Sequence, residues 1–551
     1  MRKFAVVLFG CCICVLAMAQ LARSQGRDWM ADNGDAQRSA WVRSDAKINK
    51  DTLSQPGFQF LWKLKLKNAP NQLNNLTTPS TLERLIGYRG FRMLGFVGGS
   101  GDNLITIDTD LGRIEWEKHL NAAPSTQAST LACPGGMTTS VVRPTIAFMP
   151  GAGQGGGPGR NQPAKSAVGE PGQGGVTLAN VRPNPPAPAG PPPGPPPGAA
   201  APGRPGAANP PGGQFGRGPF WINALASDGM LHTLHLSNGA EAVPPARFLP
   251  PNANASGLIV VDQIAYAVTT GGCGGVANGV WAYNQETKQV TSWKGNVAGS
   301  VGAAFAGNGT LYVATGSGGE APNSLVALEP TTLKVKASFS AGTQEFSSSP
   351  VVFEHKGKTL VAAATANGSI HILDTANLAG GPLASSATLT KANDFAPGAL
   401  TSWQDASGTR WFLAPVTSAQ AAAAGFKADN GALTKGAVAA WKVVEEGGAL
   451  KLQPGWVSRD LMAPLTPTII NGVAFVTSSG EARGKDAKLT AARSQGAILY
   501  ALDAVTGKEL WNSGKTVLSF AHGNALSGGV GQLYLTTNDG TIYAFGFPME
   551  H

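Results

Sequence analysis

The side chains of this 551-residue chain that are best suited to chemistry are few and scattered. Of five cysteines, Cys11, Cys12 and Cys14 fall in an apolar leader, which leaves Cys133 and Cys273. In an oxidising compartment two such residues are expected to pair as a structural disulfide rather than persist as reactive thiols. Among the histidines only His232 and His235 lie close together. Three positions apart on a strand puts them on opposite faces, and no third ligand is near, which argues against a zinc site. There is no Cys-x-x-Cys-His stretch for covalent haem attachment, no nucleophile elbow, and no phosphate-cradling glycine loop with its lysine. Asn367-Gly368 and Asp539-Gly540 offer oxygen donors on loops, although each pair is first of all a good hairpin turn.

The compartment follows from the first residues. Arg2-Lys3, an apolar run from Phe4 to Met18 and the small-residue exit Ala17-Met18-Ala19 read as a signal peptide over 1–19, cut before Gln20. Leu8-Phe9-Gly10-Cys11 weakly matches a lipoprotein cleavage box, but the apolar run continues well past Cys11, so a lipid anchor is not expected. No other segment approaches the roughly 18 apolar residues of a membrane span. The expectation is a periplasmic or secreted protein. Its net charge of +9 drops to about +7 with the leader removed, and no Lys/Arg-rich run is present. That excludes a nucleic-acid footprint.

The elements that must position these residues are repeats. Ala501-Leu-Asp503-Ala-Val-Thr506-Gly507-Lys-Glu-Leu-Trp511 has degraded copies at Ile107–Trp116, Ala282–Trp293 and from Ala327 to Thr332. Each follows a β-rich run and a glycine-rich loop, as in Leu311–Thr315 before Gly316–Gly319. A unit of about 40 to 50 residues built from short strands and turns is the mark of a β-propeller. The Asp-x-x-Thr-Gly turn reverses the chain, and the tryptophan is a plate that can pack between neighbouring sheets. Units near 80–120, 137–245, 256–295, 300–340, 346–385, 396–457 and 464–513, with a closing one, make an all-β, eight-bladed propeller. The count is seven if the irregular 396–457 unit, alanine-rich from Ala419 to Ala424, is not a blade. The N-terminal arm, 20–56, carries aromatic anchors rather than a strand ladder. From Phe58 to Leu66 apolar and polar residues alternate, the pattern of a half-buried strand. The last repeat lacks one strand, so this segment is expected to complete it and close the ring of the propeller domain, 57–551. Residues 150–218, rich in Pro and Gly, cannot bury enough apolar surface to order and read as a disordered insertion within the second blade.

The repeated Ala-x-Asp-x-x-Thr-Gly-x-x-x-Trp element resembles the pyrroloquinoline quinone (PQQ) repeat of the quinoprotein alcohol dehydrogenase-like superfamily. The start, Trp29…Gly34-Asp35…Arg38-Ser39…Ile48-Asn49…Leu53…Trp62, is similar to that of the mature dehydrogenases. The resemblance covers about 26–149 and 219–551. It implies a quinone seated over the ring on Ca²⁺ or a lanthanide, held by Glu, Asn and Asp ligands, with an Asp as base and a disulfide between adjacent cysteines covering the quinone. Ca²⁺ requires six to eight hard oxygen ligands, so several side chains must converge. The loops joining the second and third strands of each blade open on one face, here called the upper face. On those loops Ser317-Gly-Gly-Glu320 and Ser478-Ser-Gly-Glu481 resemble the superfamily's metal-binding Ser-Gly-x-Glu stretch, which makes Glu320 and Glu481 the candidate metal ligands. Both depart from the implied blade order: Thr270-Gly-Gly-Cys273 stands where that Glu is expected. Cys133-Pro134 occupies the place of the adjacent cysteines with a single cysteine, and a Cys133–Cys273 bridge would pin two upper loops without a quinone.

The same repeat also builds non-catalytic propellers, among them the outer-membrane assembly lipoprotein. The expectation is therefore a binding scaffold whose upper face, with Cys133, Cys273, Asn367, Asp539, Glu320 and Glu481, engages a small-molecule ligand or an envelope protein. The alternative is a divergent PQQ- and calcium-dependent alcohol or sugar dehydrogenase, with Asp102 as base and a separate electron acceptor. An envelope assembly factor that offers strand edges is the third reading.

Overall fold

The computed structural model describes residues 28–87, 90–121, 129–145 and 221–548. The expected signal peptide at 1–19 and the Pro/Gly-rich insertion at 150–218 lie outside these. Short β-rich runs separated by turns fold as successive antiparallel meanders: 80–119, 221–247, 254–297, 304–340, 351–385, 401–457 and 468–512. Val142 bridges Asn223 at the edge of the second sheet, and Val290–Val297 pairs with Thr310–Gly319, so the third and fourth meanders run together. Burial falls from the inside outwards. In the 468–512 sheet, Val473–Ser478 is buried throughout, whereas the outer strand Glu509–Asn512 is half-exposed. The alanine-rich stretch folds in part as the short helix Ser418–Ala423, capped by Thr417, between two strands of the 401–457 sheet.

The repeated turn works through its side chain. Asp503 Oδ1 accepts the amides of Val505 and Thr506 at 2.8 and 3.1 Å, and Gly507 takes a φ of +72°. The Trp456 ring, from the preceding sheet, covers this glycine and donates its Nε1–H to Ala504 O at 3.0 Å. Trp116 covers Gly239 and donates to Leu236 O, again joining one sheet to the next. Each docked indole buries a large apolar area and satisfies its one donor.

The same device links the two ends of the chain. Gln59–Lys65 pairs antiparallel with Thr541–Gly546, Lys63 opposite Tyr543, and so completes the last sheet with Leu526–Gly529 and Gln532–Thr536. Trp62 on this strand covers Gly112 of the 80–119 sheet and donates to Thr109 O at 2.9 Å. Leu66, Val97, Ile105, Tyr534 and Ile542 share one core cluster across that junction.

The segment before the closing strand runs along the inner edges of the sheets. Amides of Thr81, Arg143, Phe305, Val352, Ser402 and Ile469, each on or beside the innermost strand of a different sheet, donate to carbonyls of Trp29, Met30, Ala36, Gln37, Ser39 and Ala40 at 2.7–3.0 Å. Trp41–Val42 also pairs in parallel with Ile469–Ile470, a two-residue ladder in a stretch expected to have none. Arg38, only 1% exposed, donates to the carbonyls of Ala303, Asp32 and Gly257. Burial draws its guanidinium pKa down to about 10, against the favourable charges of Asp32 and Asp35, and pushes the Asp32 carboxyl up. The arm thus supplies partners for inner-edge amides that would otherwise lack one.

Candidate functional site at the upper face

Cys133 lies on the connection between the 80–119 and 221–247 sheets, and Cys273 on a tight turn between strands of the 254–297 sheet. They form a disulfide, with Cα atoms 5.6 Å apart across 140 residues of sequence. Gly271, Gly272, Gly274 and Gly275 all have positive φ, a run that only glycine adopts freely, and it coils the loop tightly enough to present Cys273 inward at 4% exposure. Thr130 Oγ1 accepts the Cys133 amide, and Asn254 Nδ2 donates to Ala132 O, fixing the opposite loop.

Glu481 follows Gly480, whose φ of +73° and close approach to Gln495 O turn the chain back into the sheet. Its carboxylate is 5% exposed, and Oε1 lies 2.9 Å from Nδ1 of His522, with Arg483 Nε 3.8 Å from Oε2. His522 sits on the connection from the 468–512 sheet to the closing sheet, held by the Ala521 amide donating to Ser479 O. Its side chain is 40% exposed. A buried carboxylate that orients an accessible imidazole can exchange a proton or hydrogen-bond a ligand. Sequence reasoning missed His522, because the pair is separated by 41 positions and no motif marks it.

The other candidates do different work. Glu320 is exposed, next to Ala321 at φ +48°, and its carboxylate has no partner among the described residues; Glu345 instead accepts the Ser317 amide and hydroxyl. Asn367 Oδ1 accepts from Thr365 Oγ1 and the Ser369 amide, within its own turn. Asp539 repeats this geometry with Thr537 and Thr541, and Lys65 adds an ion pair at 3.1 Å. Burial would raise the Asp539 pKa, but these bonds outweigh it and hold the carboxyl below its ordinary range. Asp102, 6% exposed, accepts the Ser227 amide at 2.9 Å, the Ser227 hydroxyl and Asn121 Nδ2, and so ties two neighbouring upper loops.

The oxygens of Asp102, Asn367 and Asp539, which a quinone-bound Ca²⁺ would need, are already engaged by protein donors. Among the described residues no three His, Cys, Asp or Glu side chains converge as metal ligands. The cleft beside the disulfide loop, lined by Gly136, Thr139, Ser227 and Leu249 among others, has a cavity volume of about 10 Å³, room for about one water molecule. Pockets for drug-sized ligands run from roughly 300 Å³ upwards.

No family model and no curated protein matches the sequence. The fold does find counterparts. The chain is similar to the quinohemoprotein alcohol dehydrogenase of Comamonas testosteroni, with a TM-score of 0.54 and 14% identity over 95% of this chain and 81% of that one. It is similar to the quinohemoprotein alcohol dehydrogenase ADHIIG of Pseudomonas putida HK5, with a TM-score of 0.53 and 10% identity over 96% and 82%. BamB from Moraxella catarrhalis gives a TM-score of 0.44 at 10% identity, over 90% of this chain and 99% of that one. The chain shares the β-propeller fold of these two quinohemoprotein alcohol dehydrogenases. At such identities the likeness carries the fold and not the activity.

Proposed function

We propose that this chain is an exported, periplasmic or secreted eight-bladed propeller, closed by its N-terminal strand, whose upper face is a non-catalytic binding surface for a small-molecule ligand or an envelope protein. One observation carries this reading: the upper-face oxygens of Asp102, Asn367 and Asp539 are spent on loops and turns. The disulfide and the Glu481–His522 pair then act as fixed features of that surface. Among the described residues no helix is long and apolar enough to cross a membrane. The test is to add PQQ and Ca²⁺ to the purified chain, then follow quinone absorbance and dye reduction with alcohols and sugars. An unchanged spectrum and no dye reduction are expected.

The second reading is a divergent PQQ-dependent alcohol or sugar dehydrogenase, favoured by the fold shared with two quinohemoprotein alcohol dehydrogenases. In that reading Glu320 or Glu481 ligates Ca²⁺ and Asp102 is the base. Dye reduction that needs quinone and is lost in Glu320→Gln or Glu481→Gln would replace the scaffold reading with this one.

A further inference from the structure

We propose that the upper-face loops of the 468–512 sheet form a docking surface for an acidic polypeptide segment that carries leucine-like side chains. This rests on the reading of the upper face as a binding surface and names the chemistry of its partner.

The two most exposed large apolar side chains among the described residues are Leu518, 71% exposed, and Leu489, 54%. Both stand on this one sheet. Leu489 belongs to the short helix Ala487–Arg493, inserted between Val473–Ser478 and Ile498–Asp503. Leu518 lies on the connection that leaves the sheet. The two loops are locked together: the Ala497 amide donates to Ser519 O at 3.0 Å, and Gly496 packs so closely on Val517 O that a β-carbon there would lie 2.3 Å away. The leucines are therefore displayed on one platform.

The same loops carry Lys485, Lys488, Arg493 and Lys515, all exposed and none in an ion pair among the described residues. Several lysines elsewhere are paired, as Lys356 is with Glu445 and Lys451 with Glu446. Only one acid lies within 482–496, Asp486, and its Oδ1 accepts the Leu489 amide at 2.8 Å to cap the helix. Glu481 is buried against His522. The positive field of the platform is left uncompensated, which steers and orients an anionic partner, while the leucines supply apolar anchors to be buried at its centre. A lipid surface suits it less well, because interfacial helices insert a long apolar face and this helix of seven residues exposes one leucine.

The test uses the full chain and labelled synthetic peptides in fluorescence anisotropy: glutamate-rich with spaced leucines, lysine-rich with the same leucines, and glutamate-rich with glycine in their place. The first should bind roughly tenfold or more tightly than the others and weaken as salt rises. Leu489→Ser/Leu518→Ser and Lys485→Glu/Lys488→Glu should each lose roughly tenfold or more, with unchanged thermal unfolding because all four side chains are exposed. Equal binding of the three peptides, or unaffected variants, overturns the proposal. So does co-sedimentation with phosphatidylglycerol vesicles that depends on the leucines and occurs without peptide binding. Hydrogen-exchange protection by the acidic peptide at other upper loops, with 482–496 and 513–519 untouched, overturns this assignment and leaves the binding-surface reading standing. Protection confined to the opposite face removes both.

Discussion

At Gly507 a β-carbon would lie 2.4 Å from the Trp456 ring, in a backbone region that L residues rarely enter. Gly507→Ala should therefore cost about 1–3 kcal/mol, read as a lower urea midpoint. Gly514, which has a similar φ but nothing within 4 Å, should lose less on the same change. Asp110 lies in the turn after the strand Asn103–Asp108. Its Oδ1 is buried without a partner, and burial first, then the charge of Asp108, pushes its pKa from 3.8 up to about 6. The folded chain then holds a proton that the unfolded chain has lost between pH 6 and about 4. Burying the ionised group costs stability in full above pH 6, and the cost fades as pH falls through 6 towards 4. Asp110→Asn should be more stable than the parent at pH 7 to 8, with the difference closing below about pH 4 in urea titrations across pH.

Between elements, the disulfide and the arm do comparable work by different means. The Cys133–Cys273 bridge closes a loop of 140 residues, and its chief effect is on the entropy of the unfolded chain. Cys133→Ser/Cys273→Ser should lower unfolding stability by about 2–5 kcal/mol, and a reductant should reproduce the loss on the parent alone. The arm acts through enthalpy at the centre. Arg38→Met would orphan the Ala303, Asp32 and Gly257 carbonyls and leave Asp32 buried without its cation, an expected loss of about 3–5 kcal/mol in chemical denaturation.

Over the whole molecule, the closing strand decides whether the sheets share one cooperative transition. Gln59–Lys65 covers the edge of Thr541–Gly546, and Trp62 reaches across to the first sheet. Trp62→Ala should cost about 3–5 kcal/mol, with an unchanged elution position in size-exclusion chromatography. Deleting 57–67 should expose an unpaired edge and give a broadened, multi-step melt with aggregation in size-exclusion chromatography.

Strands, turns and the pairing of the two chain ends were legible in the sequence, because each rests on local chemistry. Alternation from Phe58 to Leu66 specifies one buried face, and Asp503-x-x-Thr506-Gly507 carries its own acceptor and its own left-handed residue. The Cys133–Cys273 pairing was also legible, as the bridge expected of the two cysteines outside residues 1–19. The site was not legible in the same way. The sequence shows Asp102, Asn367 and Asp539 as free oxygen donors, and only the tertiary structure directs them into bonds with Ser227, Thr365 and Thr537. It alone brings Glu481 to His522 and lays residues 29–42 against the inner strands of six sheets. A strand's period is written along the chain, but the partner of a loop side chain depends on which distant turns the fold brings within about 3 Å.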